Sequence, residues 1–354
     1  MEKLRLNETP VRTSKNFNIN DIKLENVKIP SEIPQFQNVK ISYDDSKVNV
    51  KDEASNVNLV YGIDKSFTQQ IKSSANQNIK LEINSDTETK IEAEFFLDKE
   101  NAVLLENIEI IASPNTKATV IVKYKADDNI EGFHNGIINL VANENAKINV
   151  IVVNLTNIQT NNFVNIQNQI EEKAEVKYTI VDFGGNTSIT NYYSNLIGDE
   201  SSNSLDTICL GREEQIIDLN YIAELRGKKT NIDIEVQGAL KDKSKKHFKG
   251  TIDFKKGCKK AKGNEHDSCM LLSDTARSIS LPMLLCSEEE VEGNHSSAAG
   301  KIGPKELFYI MSRGMEQKEA MKLMVRAKFN KTLEKINDEN LKNEIISEID
   351  KKLD

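Results

Sequence analysis

The four cysteines, Cys209, Cys258, Cys269 and Cys286, are scattered, and none forms a C-x-x-C pair. That spacing speaks against a structural zinc site, which needs clustered thiolates. The N-terminal stretch MEKLRLNETPVRTSKNF lacks the long apolar run of a secretory signal, so a disulfide framework is not expected either. Nothing approaches the apolar length needed to cross a bilayer; the run Val150–Val153 is only strand-sized. These absences predict a soluble, cytoplasmic protein with no membrane contact. A basic surplus is missing too. The formal net charge is -8, and no Arg-rich stripe with interleaved aromatics is present, so nucleic acid is not an expected partner. The Lys-rich stretch Lys241–Lys249 reads as a solvated loop rather than a phosphate-binding patch. Catalytic signatures are absent as well: there is no G-x-x-x-x-G-K-[ST], no G-x-S-x-G and no H-E-x-x-H. The expectation is a protein that is not itself an enzyme. Trp is lacking and Gly and Pro are few, while Asn, Ile, Lys and Glu are common. A length of 354 residues allows one large elongated domain or two ordinary ones.

What is present is a repeat. ATVIVKYKA begins at Ala118, AKINVIVVN at Ala146 and AEVKYTIVD at Ala174, a spacing of 28 residues in both steps (146−118, 174−146). Each copy is an Ala, a polar residue and then a β-branched run, preceded by a polar turn. The pattern continues less strictly at Ser204, Thr230 and Thr251, with further short strands such as Gly136–Val141 and Ile216–Tyr221 between. Strands recurring at such a period mean stacked coils, each too small to bury its own apolar face. The gaps leave no room for long helices, which disfavours a doubly wound α/β fold. The predicted fold is mainly β: a parallel β-helix with several short strands per coil, with an antiparallel sandwich as the competing architecture.

The ends read differently. From Gly303-Pro304 the period becomes helical, with Pro in a first turn. Gly314 punctuates. A second helix places Ala320, Leu323, Met324 and Ala327 on one face. Asn337 reads as the N-cap of a third, which aligns Leu341, Ile345, Ile349 and Leu353. These helices are suited to covering an open end of the β-helix. Upstream, Pro30 and Pro34 break any element, a short helix is predicted near Phe67–Ser73, and strands begin near Lys80 and Lys90. The division is therefore an irregular, partly helical region 1–79, a β-helix core 80–302 and a helical region 303–354.

Within Phe248–Phe329 a run of landmarks stands at fixed distances: Gly250, Ile252 and Phe254; Leu271–Ser273; Pro282, then His295 thirteen residues on; Gly300; and Tyr309-Ile310-Met311-Ser312-Arg313-Gly314. This segment resembles the C-terminal core of the SufB/SufD family, and the N-terminal PVRT at Pro10–Thr13 resembles the SufD side of it. The resemblance implies a right-handed parallel β-helix with helical regions at its ends. It implies pairing with a SufB-like sister subunit through the β-helix, or a homodimer when alone, and binding of the ABC-type ATPase SufC through the C-terminal helices. The complex would acquire iron and assemble nascent iron–sulfur clusters at a subunit interface, with none held tightly by this chain alone. In SufB-like chains Glu flanks the His on both sides and a Cys lies upstream. Here the flanks are Asn294 and Ser296, and the Cys position falls on Asp267, two residues from Cys269. A lone His is the SufD-like arrangement.

His295 is the candidate iron or cluster ligand, since imidazole suits iron and can replace Cys at clusters. Read without the resemblance, a His at a strand end more often makes an ordinary hydrogen bond. Cys269 and Asp267 are secondary candidates, and His266, Asp267 and Cys269 form the one tight cluster of potential ligands. Cys209 and Cys286 read as small buried hydrophobes, Cys258 as an exposed turn residue, and His134 and His247 as surface residues. Tyr309 and Met311 read as packed. The Met-rich helical face also suits docking of a partner. Two alternatives stay open: a SufB-like subunit with Cys269 as ligand, and a carbohydrate-acting β-helix enzyme, for which Asp206, Asp218 and Asp233 supply no obvious carboxylate set.

Overall fold

The computed structural model of the chain describes residues 4–13, 19–24, 27–44, 46–53 and 58–354. It opens with an antiparallel pair, β1 (Leu4–Leu6) and β2 (Ile22–Leu24). Next come β3 (Val39–Ser42), β4 (Val48–Lys51) and helix α1 (Lys65–Ser74). The repeat region follows as β5 (Gln77–Ile83), β6 (Thr89–Leu97), β7 (Val103–Ala112), β8 (Lys117–Ala126), β9 (Phe133–Ala142), β10 (Lys147–Leu155), β11 (Asn161–Ile170) and β12 (Glu175–Asp182). It continues as β13 (Thr187–Leu196), β14 (Ser202–Gly211), β15 (Ile216–Leu225), β16 (Asn231–Leu240), β17 (Lys245–Phe254), β18 (Lys262–Leu271), β19 (Arg277–Cys286) and β20 (Glu292–Lys301). Three helices end the chain: α2 (Pro304–Ser312), α3 (Gln317–Leu333) and α4 (Glu339–Leu353).

Odd-numbered strands from β5 to β19 form one sheet and even-numbered strands from β6 to β20 the other, each strand pairing with the strand two places on. Within this stack the pairing is parallel throughout, as in β10 with β12 and β11 with β13. The fold is thus a mainly β, parallel β-solenoid, and the sandwich alternative is excluded. Each coil carries two strands of up to ten residues rather than several short ones. The spacing of the repeat also needs correction. Glu175 pairs with Lys147, as the 28-residue period requires, but Ile148 sits opposite Ala118, so the earlier coil is two residues longer. An even shift leaves every side chain on its own face, which is why the pattern survived it.

Two apolar layers explain the continuous β-branched runs. In β10, Ile148, Val150 and Val152 face the lumen, and Ile151 and Val153 face outward under the helices. The outer stripe Ile121, Ile151, Val181 and Ile208 is covered by Val325, Phe329, Ile345 and Ile349 of α3 and α4. Phe67 and Ile71 of α1 cover Leu105, Phe133 and Phe163 on the odd-numbered sheet. The C-terminal helices therefore lie along a face of the solenoid and do not cap its end, because that face carries the apolar side chains in need of cover. At the corners, left-handed residues such as Asn145 and Lys173 (φ 58° and 55°) direct their N–H groups to carbonyls of the next coil, 3.0 and 2.9 Å away. Gly198 stacks so closely there that a Cβ would lie 2.0 Å from Glu172 N.

Helix α3 is rotated from the expected face. Ala320, Val325, Phe329 and Leu333 are buried, whereas Leu323 is 44% exposed. The N-cap of α4 is Asp338, accepting from Leu341 N at 2.9 Å, one residue past Asn337. Its face Leu341, Ile345, Ile349 and Leu353 is buried as read. Helix α2 buries nothing: Phe308 is 73% and Tyr309 59% exposed, and Met311 is exposed beside them, so these side chains are not packed. The Lys-rich stretch is not a solvated loop. Its second half enters β17, where Lys246 and Lys249 are buried. Lys249 donates to Asp218 at 2.7 Å and to Asn7 O at 2.9 Å, tying the N-terminal segment to the odd-numbered sheet.

Candidate functional site

The last coil is the least covered part of the solenoid. β19 and β20 are its terminal strands, and no described strand pairs beyond them. All ten residues of β20 are exposed. Parallel register decides which of them look inward, because paired residues share a face. His295 pairs with Glu265, Ser297 with Asp267 and Ala299 with Cys269, a row that faces the lumen. The neighbours of His295 belong to the outer row. Ser296 Oγ lies 2.7 Å from His266 Nδ1, and Asn294 Nδ2 donates to Asn264 Oδ1 at 3.0 Å. His295 therefore stands at the rim of an open mouth.

The lumen beneath it is polar. Glu265 is buried, and neither carboxyl oxygen has a hydrogen-bond partner. Its room comes from Gly250, where a Cβ would lie 2.1 Å from Glu265 Oε2. Burial, with the Asp267 carboxylate next along the strand, pushes the Glu265 pKa up to about 8. Asp267 is held by an ion pair with the fully buried Lys246. Burial opposes charge on Lys246, but the Asp267 carboxylate outweighs it and raises its pKa, with two thiols lying nearby. Those thiols, Cys209 and Cys269, flank Gly238, whose Cβ would lie 3.4 and 3.1 Å from their sulfurs. Burial raises both thiol pKa values despite Lys246, which keeps them in the protonated, unreactive form.

The structure thus gathers His295, Glu265, Asp267 and Lys246 at one end of the lumen. It does not bring Cys269 to His295. Cys269 lies four residues beyond the ladder partner of His295, about 13 Å along the strand. Strand alternation also splits the cluster of His266, Asp267 and Cys269, since His266 points outward. Among the described residues, no group of three or more His, Cys, Asp or Glu side chains is placed to hold a metal ion. Cys286 is exposed and Cys258 buried, the reverse of their reading from sequence; Cys209 is buried as read. His134 is buried in the lumen, its Nδ1 2.6 Å from Asn162 Oδ1, and His247 is mostly covered, 3.7 Å from Asp218. Asp218 lies on the odd-numbered sheet, apart from Asp206 and Asp233, so the three form no carboxylate set. Sequence reasoning missed Glu265 and Lys246. The alternation of β18 carried the signal, because Gly263, Glu265, Asp267 and Cys269 fall on one face.

The family described as "SUF system FeS cluster assembly, SufBD core domain" matches residues 95–328. The chain is 24% identical to the iron-sulfur cluster assembly protein SufD of Bacillus subtilis over 272 residues, which covers 76% of this chain and 62% of the relative. It is 29% identical over 237 residues to an iron-sulfur cluster assembly SufBD family protein of Pyrococcus horikoshii, covering 66% of this chain and 52% of that one. A SufBD family protein of Staphylococcus saprophyticus is 22% identical over 252 residues, 70% of this chain and 52% of the relative. The chain thus spans only about half to three fifths of the length of these curated relatives. No helix among the described residues is long and apolar enough to cross a membrane. The matched core domain runs from the end of the first coil of the solenoid into α3, and with it the chain belongs to the SufB/SufD family of the SUF iron–sulfur cluster assembly system, most like SufD.

Proposed function

We propose that this chain is a scaffold subunit in iron–sulfur cluster assembly, joining a SufB-like sister subunit through the open end of the solenoid. His295 would be offered there to a site shared with the partner, where iron or a nascent cluster is handled as cargo. The observation that carries this reading is the juxtaposition at the mouth: an exposed imidazole on an unpaired edge strand, above a buried carboxyl with no partner. An unpaired edge is a template for another chain. One imidazole cannot hold a cluster, so the remaining ligands must come from the partner, and Cys269 is too far along the strand to serve beside His295. The apolar surface of α2, with Met315 and Leu323, fits docking of an ABC-type ATPase, which would supply the nucleotide hydrolysis for which this chain has no P-loop.

The test is anaerobic cluster reconstitution on the chain co-expressed with its sister subunit and ATPase. With His295→Ala the complex should assemble and lose cluster formation. Normal cluster formation by the mutant would remove His295 from the site. Size measurement of the chain alone separates a homodimer from a monomer awaiting its partner.

A further inference from the structure

Away from the mouth, α4 and the corner turns enclose a groove of about 430 Å3. Lys352 lines it, only 5% exposed, and no described residue gives its ammonium a hydrogen bond or an ion pair within 4 Å. Arg212 also lines it, close enough to act electrostatically on Lys352. Its Nε is buried with no hydrogen-bond partner, and its one carboxylate neighbour, Glu213, is 3.9 Å away. The remaining cations of the groove are engaged: Lys125 with Glu344 at 2.5 Å, and Lys351 with Asp128 at 3.7 Å. The carboxylates acting on Lys352 are Glu348, which also lines the groove, and Asp182, and neither comes within ion-pair distance of its ammonium. Burial, reinforced by Arg212, lowers the Lys352 pKa to about 8, so the amine is still mainly charged at neutral pH. A largely covered lysine whose ammonium meets the groove without an ion pair, with a guanidinium also in the lining, favours an anion that completes both. A planar fork of donors set against a point charge is the donor pair that recognises oxyanions.

We propose that this groove binds a small oxyanion of the phosphate or sulfate type between Arg212 and Lys352. Inorganic phosphate is the probe, titrated calorimetrically into the full chain, with chloride at matched ionic strength as the control. Saturable binding is expected. Lys352→Met and Arg212→Gln should each weaken it about tenfold or more, the loss of one charge-assisted hydrogen bond. Lys117→Gln, in a different groove, should leave it unchanged. Lys352→Met should also raise the melting temperature in phosphate-free buffer and abolish any rise caused by phosphate. A wild-type measurement guards against a variant that fails to fold. Acetic anhydride labelling read by mass spectrometry should show Lys352 protected by phosphate and Lys117 unprotected. Heat of dilution alone, an equal response to chloride, unchanged affinity in both variants, or equal labelling of Lys352 with and without phosphate would each overturn the proposal.

Discussion

The two ends of the solenoid solve the same problem in opposite ways. At the first coil the lumen is filled by Ile79, Leu81, Ile83, Ile91 and Phe95, all buried, and Phe36 packs against Phe95. Two four-residue strands, β3 and β4, run antiparallel along β6 and β5 and terminate both sheets. Short antiparallel edges of this kind end a sheet without inviting another chain. At the last coil the inward row is Gly293, His295, Ser297 and Ala299, above Glu265 and Asp267, and both edges are free among the described residues. One end is finished by aliphatic packing. The other keeps polar side chains and unpaired backbone groups, which are a liability for a protein acting alone and a resource for one that pairs.

The largest test of this contrast is a charge placed in each end. Ile83→Asp puts a carboxylate into the apolar lumen of the first coil, where Ile83 is 0% exposed, and should abolish cooperative thermal unfolding. His295→Asp, at the open rim, should leave the circular-dichroism melt almost unchanged; equal damage from both would end the comparison. Next comes the ion pair beneath the rim. Lys246→Met strands the buried Asp267 carboxylate and should cost about 3 to 5 kcal/mol in urea unfolding, most of it recovered in Lys246→Met/Asp267→Leu. A double mutant no better than the single one would mean that the pair does more than neutralise itself.

A smaller effect concerns pH. The Glu265 pKa is raised to about 8 from its ordinary 4.5, so its protonated form contributes stability that is full below about 4.5 and lost as pH rises through about 8. The loss is on the order of a few kcal/mol. Glu265→Gln should flatten that slope and exceed the parent in stability above pH 8; identical pH profiles would place Glu265 in contact with solvent or a cation. The smallest effect on stability belongs to Phe308→Ser on α2, within about 0.5 kcal/mol of the parent, because Phe308 is 73% exposed. The same change should weaken ATPase binding in a pull-down with purified partner, and unchanged binding would move the docking surface elsewhere.

Much of this was legible in the residues. Alternating and doubly apolar runs identify strands, their recurrence identifies stacked parallel coils, and the aligned leucines and isoleucines of α4 identify a buried helix face. The candidate site was legible only in part. His295 stood out through its spaced landmarks, but Glu265 and Lys246 were hidden among the polar residues of strands whose inner and outer rows both carry charge. Two charged neighbours on a strand read alike, and Lys245 and Lys246 end on opposite faces, one exposed and one buried.

By itself the sequence determined the strands, their period and the helical ends, because backbone pleat and helical pitch turn a local pattern of side chains into geometry. Only the tertiary structure decided which row looks into the lumen, that the C-terminal helices lie along a face and leave the mouth open, and that a glutamate and a lysine are buried at that mouth. Alternation specifies which residues share a face. Which face is buried depends on what the rest of the chain stacks above and below it.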